Sequence, residues 1–376
     1  MNFAFSEEQE ELRRTVRQFL EAKSPETEVR RLMETTEGYD PSVWKQMGQE
    51  LGLQSIAVPE AYGGQGFTFI ELCIVLEEMG RVLLCAPYYS SVVLAANAIL
   101  NAGTEEQKQA LLPGIASGDT IATLAFTEPN GKWDVTGITL EATEQGGSWS
   151  LSGEKMFVLD GHTADLIVVV ARTAGTSGTD GISFFTVRGD ADGLTRTPLS
   201  TMDMTRKQAK LEFSGVAAEP LGEPGSGWPA YSKTLDQAAI ALANEMMGGA
   251  QFVLDMSVQY AKDRVQFGRP IGSFQAIKHK CADMLLEVES GKSAAYYAAW
   301  AAAEDNDEVP VVSALAKAYC SEAYFHAAAE NIQIHGGIGF TWEHPAHLYF
   351  KRAKSSEIFL GDATYHRELL AQRIGI

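Results

Sequence analysis

The sequence contains few cysteines and no closely spaced pair of them. Four occur in 376 residues, at Cys73, Cys85, Cys281 and Cys320. None forms the C-x-x-C spacing of a zinc site or a redox motif, so neither a metal centre nor a disulfide framework is expected. A reducing compartment such as the cytoplasm is the natural setting for such a chain, with the thiols acting as small apolar side chains.

Positive charge is also in deficit. Lys and Arg number 30 against 49 Asp and Glu, which gives a formal net charge of -19. Such a surface repels nucleic acid and anionic lipid, so we expect neither as a partner. No apolar stretch approaches the ~20 residues that span a bilayer. The chain opens with residues 1–5 and then turns acidic at Glu7 and Glu8, without the basic and apolar segments of a secretion signal, so no signal peptide is expected.

What the sequence does contain is three regions of different periodicity. Residues 1–120 carry apolar side chains at helical spacing, whereas residues 121–225 are rich in Gly, Thr, Ser and β-branched residues and predict a compact antiparallel β domain. Residues 226–376 return to long helical patterns, among them a helix expected over residues 356–374. Helices, strands and helices in that order predict an α+β fold of segregated layers. No G-x-G-x-x-G follows a strand, so a Rossmann domain is not expected.

Four short strings carry the residue types that a nucleotide cofactor needs. They are Ala125–Pro129, Gly153–Gly161, Arg264–Ile271 with the following Phe274 and Gln275, and Gln333–Thr341. Arg264 offers a guanidinium fork for a pyrophosphate. Gly336 and Gly337 let the main chain approach an anion closely. Taken singly, each string also fits a plain structural role, such as a helix-to-loop turn or a helix stop.

In their order and intervals, the four strings resemble those of the acyl-CoA dehydrogenases. Residues 53–66, which include Pro59-Glu60-Ala-Tyr-Gly63-Gly64, match a further family string, and the resemblance covers essentially the whole chain. It implies an N-terminal helical domain, a middle β domain and a C-terminal four-helix-bundle domain. It also implies non-covalent FAD, an acyl-CoA substrate, a dimer or tetramer, and an electron-transferring flavoprotein as the electron acceptor.

In the middle region, the resemblance assigns flavin contacts to two of the strings. Phe126 and Thr127 match one of them, and Phe157 through Leu159 match the other. Phe157 stands in place of the usual Trp, and Leu159 replaces a hydroxyl residue that hydrogen-bonds the flavin. Trp133 stands where a small Ser is common, which implies an altered entrance to the substrate-binding pocket.

In the C-terminal region, the resemblance assigns two further groups of cofactor contacts. They are Arg264, Phe267 and Gln275, followed by Gln333, Gly336 and Gly337. The Arg of the first group usually reaches the FAD pyrophosphate of a neighbouring subunit, and the second group holds the adenosine half. A site of this kind is shared between chains, so the resemblance implies an oligomer, either of one chain or of two family members.

The catalytic base of the family has no counterpart at its usual positions. The family reaction removes the α-proton of an acyl thioester while the β-hydride goes to the flavin, so a carboxylate must lie near the α-carbon. Most members place this Glu before a Gly-Thr pair in the last helical region, where the chain has Leu360. A minority place it 26 residues before the Arg of R-x-x-F-G, which corresponds here to Ala238. Neither side chain can accept a proton.

Two carboxylates remain as candidates for the base. Asp362 lies two residues past the first of these positions, and Glu245 lies two helical turns beyond Ala238 on the same helix face. Asp362 also fits a helix N-cap or a contact to cofactor hydroxyls. Glu245 also fits a buried structural ion pair. His335 and His366 are expected to cap helix ends or to bond main-chain carbonyls.

Three activities therefore remain open. The first is FAD-dependent α,β-dehydrogenation of an acyl-CoA, with an unusual base or a base supplied by a partner. The second is a subunit of a heteromeric acyl-CoA dehydrogenase that completes the FAD site and supplies no base. The third is a flavin monooxygenase or oxidase on the same fold, whose chemistry needs no α-proton base.

Overall fold

The computed structural model describes residues 5–376 and divides the chain into two compact units. The helical unit comprises Met1–Arg30, Thr68–Leu84 and Ala239–Ile376, and the sheet unit comprises Arg31–Phe67 and Cys85–Ala238. Residues 1–4, at which the chain opens, lie outside the described residues. No helix within residues 5–376 combines the length and the apolar character that a membrane crossing requires.

Eleven α-helices lie within residues 5–376. They are α1 (Glu7–Lys23), α2 (Glu26–Met33), α3 (Pro41–Gln49), α4 (Phe69–Arg81), α5 (Ala96–Ala102), α6 (Glu105–Ala116), α7 (Trp228–Asp263), α8 (Gln275–Ala303), α9 (Val309–His335), α10 (Ala346–Ile358) and α11 (Ala363–Arg373). A π-helix at Tyr89–Ala95 leads directly into α5. The expected order of helices, β domain and helices is confirmed.

Nine strands lie within the same described residues. They are β1 (Ala122–Ala125), β2 (Glu141–Gln145), β3 (Ser148–Leu159), β4 (Leu166–Thr173), β5 (Ile182–Arg188), β6 (Leu194–Pro198), β7 (Gln208–Leu221), β8 (Val265–Gln266) and β9 (Arg269–Pro270). The first seven form one sheet, and the last two form a short hairpin.

Short polar side chains start several of the helices. The Ser6 hydroxyl accepts the Gln9 main-chain N–H, while the Gln9 side chain accepts the N–H of Ser6. Thr68 and Glu71 form the same reciprocal pair at the start of α4. Asp40 caps α3 by accepting two main-chain N–H groups. These bonds satisfy N–H donors that the first helical turn leaves without a partner.

The sheet of the sheet unit closes on itself. Strand β4 pairs with β2 and with β5, and the path from β2 through β3 and β7 reaches β5 again. Most pairings are antiparallel, as expected, but β1 and β2 run parallel to β4. A long connection separates β1 from β4 in the chain, which is what parallel pairing requires. Strand β4 is buried over nearly its whole length, as expected for a central strand with both faces covered.

In the helical unit, α8 packs against α9 and α4, and α9 also contacts α10 and α11. The single helix expected over residues 356–374 is wrong, because the chain leaves the helix after Ile358 and begins another at Ala363. Gly361 has a φ of 102°, which is not a helical conformation. The three sequence ranges 1–120, 121–225 and 226–376 stay a proposal for the domain boundaries.

Candidate functional site

Two of the predicted cofactor strings lie side by side in the sheet unit. The main-chain N–H of Met156 donates to the Thr127 carbonyl at 2.8 Å. The Lys155 amine donates to the Phe126 carbonyl at 3.2 Å and pairs with the Glu128 carboxylate at 2.7 Å. The end of β1 and the second half of β3 therefore form one connected surface that carries Phe126, Thr127 and Phe157.

Phe157 is presented to solvent by an unusual main-chain conformation. Its φ is +55°, and the register between β3 and β7 shifts between Lys155 and Val158. Such a bulge re-aims a side chain, and a positive φ is uncommon for a bulky residue. The side chain is 47% exposed as a result. An exposed aromatic ring on a strained strand is a suitable surface for a planar ligand, and strained backbone of this kind clusters at functional sites.

The other positions of these strings differ in what they can offer. Phe126 is half-buried, with its ring 6.3 Å from that of Tyr231. Leu159 is only 2% exposed, and its carbonyl accepts the Thr123 hydroxyl at 2.6 Å. Its side chain therefore stabilises the strand and presents almost no surface. Trp133 is half-buried in the loop that connects β1 to β2.

The third string forms the β8–β9 hairpin at the end of α7. Its two-residue turn, Phe267 and Gly268, has φ values of 55° and 77°, the positive pair that tight hairpins favour. Phe267 is 92% exposed at the tip. Arg264 is exposed at the base of the hairpin and makes no ion pair within residues 5–376. Its guanidinium is thus available to an anion.

The fourth string forms the C-terminal end of α9. Gly336 ends this helix with a φ of 63°, and Gly337 follows it. A Cβ placed on either glycine would meet no atom within 4 Å, so the main chain there is open to a ligand. Gln333 is exposed one turn earlier. His335 is buried, and its Nδ1–H donates to the Asn331 carbonyl at 2.8 Å, which confirms its expected structural role.

The position at which most family members place the base lies in the break between α10 and α11. Leu360 is buried there with a φ of +65°. Its carbonyl accepts the Nε2–H of His366 at 2.9 Å, as expected for that histidine. Burial, followed by the nearby Lys317 charge, lowers the pKa of His366 to about 3, so this imidazole is neutral. At the alternative position, Ala238 is buried, and its carbonyl accepts the Tyr89 hydroxyl.

Asp362, the first candidate base, caps α11. Its carboxylate accepts the main-chain N–H of Tyr365 at 2.8 Å. Beside it, the buried Lys317 amine donates to the carbonyls of Glu357 and Gly361 at 3.0 and 2.9 Å. Burial lowers the pKa of Lys317 to about 7. The corner that contains Leu360 is therefore fixed by an aspartate cap, a lysine and a histidine.

Glu245, the second candidate base, forms a buried ion pair with Arg352. The Arg352 Nη1 lies 2.9 Å from the Glu245 Oε1, and the two side chains are 5% and 8% exposed. A carboxylate held this way is already occupied by a guanidinium. This is the structural alternative that the sequence suggested for Glu245. Arg352 itself gives no signal in the sequence, because it lies 107 residues further along the chain.

Comparison with known proteins establishes the family. Models of the N-terminal, middle and C-terminal domains of acyl-CoA dehydrogenase match residues 6–119, 123–216 and 225–375. The chain belongs to the acyl-CoA dehydrogenase family. The members of this family are oxidoreductases, so the four strings lie on the scaffold of an acyl-CoA dehydrogenase-type enzyme.

Individual proteins match this chain over its full length. A Bacillus subtilis protein named probable acyl-CoA dehydrogenase YngJ is 35% identical over 385 residues, covering 100% of both chains. Butyryl-CoA dehydrogenase from Megasphaera elsdenii has a TM-score of 0.93 at 29% identity, covering 100% of both chains. A chain of the ChsE4-ChsE5 complex from Mycobacterium tuberculosis has a TM-score of 0.90 at 29% identity and covers 100% of this chain and 99% of its own.

Proposed function

We propose that this chain takes part in the FAD-dependent α,β-dehydrogenation of an acyl-CoA thioester and requires a second chain of the family to supply the base. The chemistry that bound FAD would supply is acceptance of the hydride from the β-carbon. The proposal depends on one observation. Within residues 5–376, Leu360 and Ala238 occupy the two positions at which members of the family carry the catalytic Glu, so neither position has a carboxylate side chain.

The exposed residues of the sheet unit fit the flavin part of the cofactor. Phe157 is exposed and would offer an aromatic face to the flavin ring, and the Phe126–Thr127 segment lies on the same connected surface. Leu159 contributes only main chain to this surface, because its side chain is buried. Apolar and aromatic walls of this kind exclude water from the reacting atoms.

The residues also fit the dinucleotide. Arg264 is exposed and makes no ion pair within residues 5–376, so its guanidinium can bind the pyrophosphate. Gly336 and Gly337 leave room for close main-chain approach. We assign Phe267, Gln275 and Gln333, all exposed, to the same binding surface. A cofactor shared between chains explains why the hairpin tip carries an almost fully exposed Phe.

Neither candidate carboxylate is free to remove the α-proton. Glu245 is buried, and its carboxylate is bonded to the Arg352 guanidinium. Asp362 uses a carboxylate oxygen to accept the main-chain N–H of Tyr365 at the N-terminus of α11. A general base needs access to the proton that it removes. We therefore assign neither residue to proton removal and place the base on a partner chain.

Two features support a partner of the same family. The structure of the ChsE4-ChsE5 complex, to which the chain is similar over its full length, contains two differently named chains. In addition, exposed apolar side chains lie in or next to both C-terminal cofactor strings: Val265, Phe267, Ile338, Phe340 and Trp342. Exposed apolar surface is a feature of protein interfaces. We propose a hetero-oligomer, with an electron-transferring flavoprotein as the electron acceptor.

Co-purification and flavin reduction test the proposal. The chain is expressed alone and together with a family member that retains the Glu before Gly-Thr, and each preparation is titrated anaerobically with a panel of acyl-CoA esters. Flavin bleaching is expected only in the mixed preparation. The matched control is Leu360→Gln, which introduces a polar side chain of similar size without a base. Leu360→Glu, in contrast, restores bleaching if the missing carboxylate is the only defect.

The same preparations separate the oxidase alternative. Oxidase or monooxygenase chemistry would show as substrate-dependent oxygen consumption by the chain alone, with no second chain required. A dehydrogenase subunit instead passes electrons to an electron-transferring flavoprotein. Rapid oxygen consumption by the chain alone would contradict the proposal.

A further inference from the structure

Glu128 and Lys155 form the most deeply buried ion pair of the sheet unit's described residues. Lys155 is 0% and Glu128 is 3% exposed at the side chain, and their charged atoms lie 2.7 Å apart. Burial lowers the pKa of Lys155. Burial acts to raise the pKa of Glu128, but the Lys155 charge and hydrogen bonds outweigh it and hold that pKa below its usual value. Nothing in the proposed chemistry requires a charge at this place.

The pair connects three segments of main chain. Lys155 donates to the Phe126 carbonyl at 3.2 Å. Glu128 accepts the main-chain N–H groups of Thr139 and Leu140, each at 2.9 Å. The end of β1, the second half of β3 and the segment before β2 therefore meet at one carboxylate and one amine. Every one of these bonds lies within the sheet unit.

Phe157 lies two residues beyond Lys155 in the bulge of β3. Its φ is positive, and such a conformation persists only where the surroundings fix it. On the N-terminal side of the ring, the restraints are the Met156 N–H bond to the Thr127 carbonyl and the two contacts of Lys155. On the C-terminal side, Val158 pairs with Ala209 of β7. The ion pair thus helps to fix the backbone that leads into the exposed ring.

A purely stabilising role does not require charge. Apolar side chains of similar volume often replace a buried ion pair without loss of stability. Apolar side chains could not, however, hold the Phe126 carbonyl and the Thr139 and Leu140 N–H groups in one arrangement. We infer that Glu128 and Lys155 are positioning residues, which hold Thr127 and Phe157 in register against the flavin ring; the inference rests on the proposed FAD-dependent function.

The test compares three variants with the wild-type chain. Lys155→Met breaks the pair, and Glu128→Leu with Lys155→Met replaces both partners by apolar side chains. Val187→Ala, in the buried part of β5, is the control for loss of stability without loss of these bonds. Each protein is examined by thermal unfolding, by hydrogen exchange of the Met156 amide, and by flavin absorbance and affinity after reconstitution with FAD.

A positioning role predicts faster exchange of the Met156 amide in the double variant, even where its melting temperature matches that of Val187→Ala. The flavin band of the reconstituted double variant shifts relative to the control, and FAD binding weakens about tenfold, the loss expected of about one hydrogen bond. Unchanged exchange and an unchanged flavin band in a folded double variant would overturn the inference.

Failure of the proposed function gives a different result. If the wild-type chain takes up no FAD, either alone or with its family partner, the FAD assignment is contradicted. Hydrogen exchange of the Met156 amide is then the only remaining test of whether the Glu128–Lys155 ion pair holds the two strings together. A wild-type chain that takes up FAD, with a double variant that has the same band and affinity, contradicts the positioning role and leaves the FAD assignment intact.

Discussion

Replacing Glu245 by Gln separates a structural carboxylate from a catalytic one. Glu245 and Arg352 are 2.9 Å apart and almost fully buried, so the variant leaves a guanidinium in the core without its counter-charge. Breaking a buried pair in this way costs roughly 3 to 5 kcal/mol. The Gln carbonyl still accepts one hydrogen bond, which favours the lower end, about 3 kcal/mol. A loss of that size is a large part of a typical unfolding free energy of about 5 to 15 kcal/mol.

Urea unfolding followed by circular dichroism measures this loss. The matched control is the double variant Glu245→Leu with Arg352→Met, which removes both charges and fills a similar volume. Because apolar replacement of a whole buried pair is often neutral or stabilising, the double variant should recover most of the stability that Glu245→Gln loses. Flavin reduction per folded molecule, measured with the partner chain present, should stay close to wild type in both.

The opposite pattern would refute this reasoning. If Glu245→Gln unfolds like the wild-type chain but reduces its flavin more slowly by a factor on the order of 100 or more, Glu245 handles the proton, as expected for a positioned general base. Arg352 would then serve to orient that base, and the need for a partner's carboxylate would disappear.

Four further outcomes follow from the same contacts. The unfolding free energy of the wild-type chain should rise by about 2 kcal/mol between about pH 7 and pH 9, and Lys317→Met should abolish this rise. In that range the buried amine, with its pKa lowered to about 7, binds fewer protons than the same amine in the unfolded chain. Urea titrations at both pH values check this, and the same pH dependence in the two proteins would refute it. Asp362→Ala should lower the unfolding free energy by about 1 kcal/mol, the value of one N-cap, and leave flavin reduction unchanged in the presence of the partner; a large rate loss would instead make Asp362 catalytic. Arg264→Ala should weaken FAD retention by about 10- to 100-fold through loss of one charge-assisted contact, as measured by equilibrium dialysis, and equal retention would remove Arg264 from the site. Leu360→Glu should allow the chain to bleach its own flavin with an acyl-CoA where Leu360→Gln does not, and failure of both would show that more than the carboxylate is missing.

The sequence predicts much of the fold because its signals are local. The order of helical and strand periodicities is a property of short windows, and the structure confirms it. Helix starts at Ser6 and Asp40 follow from side chains that bond N–H groups two or three residues away. The break at Gly361 was missed because the helical pattern of apolar residues continues across it, while Asp362 restarts the helix with its own cap.

The candidate site is less predictable, because its contacts join residues far apart in the chain. Glu245 pairs with Arg352, which is 107 residues away in the sequence, and Lys155 pairs with Glu128, which is 27 residues away. A buried lysine looks like a surface residue in the sequence, since lysine is rarely buried unless it is paired. The lack of a carboxylate at the two family positions, in contrast, is visible from the sequence alone, because Leu360 and Ala238 occupy them.

The most direct measurement is an anaerobic acyl-CoA titration of the purified chain alone, following flavin absorbance, repeated after addition of a family member that retains the catalytic Glu. The account predicts no bleaching of the chain alone by any ester in a broad panel, and bleaching by at least one ester once the second chain is present. Bleaching of the wild-type chain alone would contradict the account, because it would show that the chain carries its own base.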